Sequence, residues 1–215
     1  MLAPAILLVA GGCTRLLTGP APDLYRLPAA DAFPAGLPHV SVQLLVAVPE
    51  APAGLDTRRI ALSRSPISLD YFADSEWTDR VPTLVQTALI ESFENSHTIT
   101  AVGRDSIGLH ADFILKSEIR RFEADYGAAG GPPTVWLKVV LQLVRMPAGE
   151  IIADTTLAAR KPARANTVPD IVTAFAAAFD TLARQVILWT MTNPALSATH
   201  PSSPRLPSRK GREEG

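Results

Sequence analysis

The sequence predicts an α+β fold, a small and mainly antiparallel sheet with two amphipathic helices packed on it in a single domain. Three observations carry this. Apolar and polar residues alternate with period two over residues 40–48, 112–122 and 135–143, as half-buried strands require. Two other segments, about 79–95 and from Thr167 to about 192, place their apolar residues at helical spacing instead. The chain has 215 residues, 47% hydrophobic and 19% charged, which is ordinary for one globular domain with one core.

The N-terminus is read from its lone cysteine, which can form neither an internal disulfide nor a thiolate metal cluster. Cys13 closes an apolar stretch, residues 1–12, that is far too short to span a bilayer, which needs about 20 residues. That stretch ends in small residues, as secretory cleavage sites do. It resembles a lipoprotein signal peptide, in which Gly11 and Gly12 would precede the cut and the Cys13 thiol would carry a diacylglycerol. No Lys or Arg precedes Arg15, and Ala10 stands where such signals usually have Leu or Val. A start codon placed too far downstream accounts for the missing charge and the short length. The competing reading is a buried N-terminal strand or helix whose cysteine is incidental. Thr14, in place of Asp, resembles sorting to the outer membrane.

Residues 13–37 are rich in Pro and Ala and read as a tether, within which residues 24–27 form an apolar island able to add an edge strand. Val40, Val42, Leu44, Val46 and Val48 mark a strand ended by Pro49. Residues 57–62 and 67–72, separated by Ser65 and Pro66, read as edge strands, because proline cannot donate to a central ladder. Thr78 or Asp79 caps the first helix, with Pro82 in its first turn, Gln86, Glu91 and Glu94 on its polar face and Asn95 as terminator.

Residues 112–122, 135–143 and 151–157 then read as an antiparallel meander, broken at 127–133 and 146–149. Thr167, Pro169 and Asp170 open the last helix, striped by Val172, Phe175, Phe179, Leu182, Val186 and Trp189. The domain runs over 38–192, and residues 193–215, almost without apolar content, read as a disordered tail.

These residues carry a family resemblance. A cysteine of lipoprotein type is followed by Tyr25-Arg-Leu27, Arg59-Ile-Ala61, Leu69-Asp-Tyr-Phe72, Trp77, Asp79-Arg-Val-Pro82, Ala111-Asp112, Arg121-Phe-Glu123 and Ala174-Phe175. Over about residues 13–192 the chain resembles the ABC-type transport auxiliary lipoprotein component family, the PqiC-like lipoproteins associated with MCE-type lipid transport. The resemblance implies a non-enzymatic partner of an MCE-domain protein and of ABC transporter subunits. Such a protein is lipid-anchored through Cys13, faces the periplasm, sits at the outer rather than the inner membrane, and moves lipid or another hydrophobic substrate between membranes.

The residues themselves point to no reaction. His39, His97, His110 and His200 are dispersed, without the i, i+4 spacing of a zinc helix. Residues 127–131 are glycine-rich but run into Pro132 and Pro133, where a phosphate loop needs a helix N-terminus. There is no Gly-x-Ser-x-Gly elbow. The expectation is therefore no cofactor and no metal. A net charge of −1 and a pI near 6.4 give no bulk attraction to nucleic acid.

Tyr71, Phe72 and Trp77 are the candidate contact residues for a partner or a lipid chain, against the alternative that they pack over the end of the first helix. Arg58, Arg59, Arg120 and Arg121 could meet phosphates or lie on solvated faces. Unpaired strand edges make a homo-oligomer an open expectation. Two functions compete with transport: a pilotin-like assembly lipoprotein for an outer-membrane complex, and a hydrolase.

Overall fold

The computed structural model describes residues 21–105, 110–127 and 130–197. Cys13, the signal peptide and residues 198–215 of the expected tail lie outside these. The elements are β1 (Asp23–Tyr25), β2 (Val40–Val46), β3 (Arg59–Ser63), β4 (Asp70–Trp77), α1 (Val81–Ser96), β5 (Ile99–Arg104), β6 (Phe113–Asp125), β7 (Thr134–Arg145), β8 (Glu150–Pro162), α2 (Val168–Met191) and α3 (Pro194–Ser197).

The alternating patterns of the second half produce the expected meander. β7 pairs antiparallel with β6 from Phe113↔Arg145 to Asp125↔Thr134, and with β8 from Arg145↔Glu150 to Thr134↔Pro162. Val135, Leu137, Leu141 and Leu143 of β7 are fully buried, while Trp136, Lys138, Val140 and Gln142 on the opposite face are only half-buried. On β6 the period slips between Ile119 and Arg121, where a bulge places Arg120 and Arg121 consecutively outside and returns Phe122 and Ala124 to the core.

The sheet as a whole is neither small nor mainly antiparallel. It has eight strands and is mixed. The free edge of β6 receives two parallel partners in succession, β2 at Leu44↔Phe113 through Val46↔Leu115 and β3 at Leu62↔Ala124 and Ser63↔Asp125. The change of partner is stitched at Glu50, whose N–H donates to the Ser117 carbonyl and whose carbonyl accepts from Ile119 N–H. β5 adds parallel to β2, β4 antiparallel to β3, and β1 parallel to β4. Alternation reports that one face of a strand is wet, not which way its neighbour runs. β3 and β4, expected at edges, are therefore interior strands, and β5, whose pattern alternates poorly, is an edge strand that periodicity does not reveal.

Three helices replace the expected pair of amphipathic ones. α1 buries ten of its sixteen residues, Gln86 and Ser92 included. Gln86, placed on the polar face by spacing, donates from Nε2 to the Val46 carbonyl (2.8 Å) and accepts from Arg104 Nη1 (2.5 Å), tying α1 to β2 and β5. The helix begins at Val81 without a side-chain cap, because its N-cap is Arg80, whose side chain has no acceptor, and not Thr78 or Asp79; Val81 N–H donates to the Thr57 carbonyl and Asp79 accepts from Arg80 N–H.

α2 is capped as its sequence proposes. Thr167 Oγ1 accepts from Asp170 N–H (3.4 Å) and donates to the Asp170 carboxylate (2.6 Å), so one hydroxyl makes both bonds between N-cap and N3. By length and composition α2 is apolar enough to cross a membrane, but half of it is buried in the protein. Its buried stripe from Ile171 through Phe175, Phe179, Leu182 and Val186 to Met191 packs on β7 and β8. Structure continues past Asn193, since α3 seats Leu196 in the core.

Residues 21–37 lie against the domain. β1 is an added strand, as the apolar island allows, and Leu27 and Ala30 are buried. Both backbone groups of Ala30 are held by α1, its N–H donating to Ser92 Oγ (2.9 Å) and its carbonyl accepting from Asn95 Nδ2 (3.0 Å).

Candidate functional site

The corner between β3 and β4 combines apolar groups held in solvent with a group of arginines. The two strands pair at Ala61↔Tyr71 and Leu62↔Asp70 and again at Arg59↔Glu76, so residues between Phe72 and Ser75 bulge out. Asp74 turns this bulge at φ 52°, in the left-handed region that Asp tolerates better than most residues.

The connection over residues 64–69 is a turn braced by serine hydroxyls. Ser68 Oγ accepts from the N–H groups of Arg64 (3.2 Å) and Ser65 (3.0 Å) and meets Ser65 Oγ at 3.1 Å, while Ser68 N–H donates to the Ser65 carbonyl. Such side-chain closure of a turn follows from its Ser and Pro content. The turn carries Ile67 at 97% exposure and Leu69 at 42%. Leu69 rests on Gly54, where an added Cβ would lie 2.6 Å from its Cδ2, and Tyr71 OH donates to the Gly54 carbonyl (2.9 Å).

Two concavities flank this turn. One, of about 400 Å³, lies between residues 52–55, the turn and Arg120, Arg121 and Glu123; the other, of about 350 Å³, is closed by Ser63, Arg64, Asp125, Gly127 and Trp136. In the second, the Trp136 ring is covered by Arg160, whose guanidinium lies 3.7 Å from the ring centroid, and by Arg121 at 4.6 Å. Arg121 also donates to buried Glu123 (2.5 Å), which accepts from Ser63 Oγ (3.2 Å), so the carboxylate is compensated where it is buried. Arg64 lies over Tyr126 at 5.3 Å, and the Tyr126 hydroxyl donates to Asn166 Oδ1 (2.6 Å). Burial pushes the Tyr126 phenol above its ordinary pKa, with the Arg64 charge opposing.

The three aromatic candidates do not form one patch. Trp77 is fully buried between Phe122 (5.9 Å) and Phe175 (5.2 Å), both edge-on, and belongs to the core rather than to a contact surface. Tyr71 and Phe72 are half-buried, and Arg59 covers the Tyr71 ring at 3.7 Å. Arg58 reaches Glu76 at 3.6 Å and Arg120 reaches Glu118 at 2.7 Å, so none of the four arginines stands alone. Cys13 and His200 lie outside the described residues. His39 Nδ1 comes within 3.3 Å of the His97 carbonyl, but among the described residues no group of three or more His, Cys, Asp or Glu is placed to hold a metal.

Sequence reasoning missed Ile67 and Leu69, by extending a strand through them, and missed Trp136. The signal for the turn was present in Ser65-Pro66 and Ser68. The resulting surface offers cations beside apolar groups, which suits an apolar or anionic partner.

A family model described as ABC-type transport auxiliary lipoprotein component matches residues 25–187. An uncharacterised protein of Bradyrhizobium diazoefficiens is 30% identical over 187 residues, covering 85% of this chain and 49% of that protein. The chain thus spans about half the length of this curated relative. Among solved structures, protein XCC0632 from Xanthomonas campestris matches with a TM-score of 0.76 at 24% identity, covering 82% of this chain and 99% of that one. A second crystal structure, of an uncharacterised protein, has a TM-score of 0.62 at 13% identity and covers 79% of this chain and 99% of its own. Both likenesses are of fold.

Proposed function

Because the chain belongs to the ABC-type transport auxiliary lipoprotein component family, we propose that it serves an MCE/ABC-type system that moves lipid or another hydrophobic substrate between membranes, acting by binding and positioning rather than by chemistry. The observation that carries this reading is the extent of the family match, which begins within β1 and ends near the close of α2. The docked N-terminal segment and the sheet are therefore family features together. Anchorage is through Cys13, with the domain facing the periplasm and the outer membrane favoured by Thr14. The β3–β4 corner, with Tyr71, Phe72 and the braced turn beside them, is the surface offered to a partner subunit or lipid chain.

The test is copurification from cells after mild crosslinking. The wild-type chain is expected to bring down an MCE-domain protein and an ABC ATPase, and Cys13→Ala to lose both the fatty-acid label and most of that recovery. Recovery of neither partner from the labelled wild type would overturn the transport reading. Defective insertion of an outer-membrane channel with normal lipid traffic in a deletion strain would put the pilotin-like role in its place.

A further inference from the structure

A single exposed isoleucine on a protein surface needs no explanation. Ile67 differs in its setting. Its turn is closed by several serine hydrogen bonds, Leu69 beside it is also exposed, and none of the three connections at its end of the sheet contains a carboxylate. Residues 64–69, 126–133 and 163–167 contain Arg64 and Arg164 and no Asp or Glu. They are joined physically, since Tyr126 N–H donates to the Ser63 carbonyl, Arg64 covers the Tyr126 ring and Tyr126 OH donates to Asn166. The carboxylates bordering this end are internally engaged, Asp70 with Tyr71 N–H, Asp125 with Gly127 N–H and Asp170 with Thr167. At the opposite end lie Asp105 and Asp112, the latter accepting from Gln43 N–H (2.8 Å), beside Arg104 and Arg145, which are held by Gln86 and Glu150.

The direction of β1 selects between the two ends. β1 runs parallel to β4 with Asp23 beside Ser75, so the N-terminal end of β1 faces the side of the sheet that holds Asp70 and the Ile67 turn. From Ser75 back to Asp70 is five residues, no more than about 17 Å of strand. Cys13 precedes Asp23 by ten residues, a reach of up to about 35 Å. An anchor at Cys13 can therefore bring the turn down onto the bilayer that holds the lipid.

We propose that the turn over residues 64–69 is a second membrane contact, in which Ile67 enters the boundary between acyl chains and headgroups of the anchoring leaflet while Arg64 meets lipid phosphates. The inference rests on Cys13 being the anchor. Two acyl chains hold a protein at a surface without orienting it; this contact sets the orientation and keeps the connection between β7 and β8 facing away from the bilayer.

The full chain, with Cys13 coupled chemically to a maleimide phosphatidylethanolamine, is bound to phosphatidylcholine vesicles containing phosphatidylglycerol and brominated acyl chains. A side chain seated about 5–10 Å into the interface is reached by such bromines, so the emission added by Ile67→Trp should shift to the blue and fall by about half. The emission added by Ala148→Trp, on the connection between β7 and β8, should do neither, and Arg64→Gln should weaken the response of Ile67→Trp. Absence of quenching in Ile67→Trp, or equal quenching in Ala148→Trp, would overturn the contact. Anchorage is read separately from the mass of the mature protein isolated from cells, where an unmodified Cys13 would overturn the anchor and the orientation built on it.

Discussion

Replacing Trp77 by alanine and by phenylalanine separates the packing of the core from its one aromatic polar atom. The indole is fully buried, edge-on to Phe122 and Phe175, and so joins β4, β6 and α2. Truncating such a side chain to alanine costs about 3–5 kcal/mol, a large part of the roughly 5–15 kcal/mol that holds a domain together. Phenylalanine keeps the rings in contact and opens a smaller cavity, at about 1–2 kcal/mol. It also removes Nε1–H, which is buried and has no partner among the described residues, and deleting an unsatisfied donor of this kind returns about 1–3 kcal/mol. Trp77→Phe should therefore lie within about 1 kcal/mol of the wild type while Trp77→Ala falls by several. Urea unfolding followed by far-ultraviolet circular dichroism makes the comparison without depending on indole emission. Equal losses in the two variants would refute the reasoning, because they would mean that Nε1–H is satisfied or that the second indole ring carries the packing. The same Phe variant should retain its copurifying partners, since Trp77 does not reach the surface.

Two further predictions concern the polar groups that position the elements. Gln86→Ala removes the bond to the Val46 carbonyl and one of the two acceptors of Arg104, leaving it Thr87 Oγ1, which should lower stability by about 1–3 kcal/mol in the same unfolding measurement. Tyr126 gives a pH signature. Its phenol pKa is raised in the folded state above the ordinary 10.0, so the folded protein keeps a proton that the unfolded chain releases. That contribution to stability is intact below pH 10 and is lost as the pH rises through the folded value. Thermal unfolding across this range should show a decline with pH that Tyr126→Phe flattens.

The readable parts of this protein are those where one segment decides its own state. The Thr167-x-x-Asp170 box starts α2 because its bonds are local, and the meander follows from alternation over three consecutive segments. The two-residue polar step at Arg120–Arg121 even records the bulge, although its meaning is clear only once Lys138 is seen opposite Arg121. The candidate site was partly legible in the same sense. The aromatic run drew attention to β4, but burial divided it, because the partners of Trp77 come from Phe122 and from Phe175, far along the chain. Ile67 looked like the start of a strand, and the hydroxyl bonds of Ser65 and Ser68 turn it outward.

By itself, then, the sequence determined which segments are extended or helical in the meander and α2, and the family. Only the tertiary structure decided that β2 and β3 join β6 in parallel, that Gln86 is a buried brace and not a surface residue, and which apolar side chains are left in water. The physical reason is that periodicity is set by each residue's preference for core or solvent, whereas strand direction, polar satisfaction and exposure depend on which distant segment arrives at the other side.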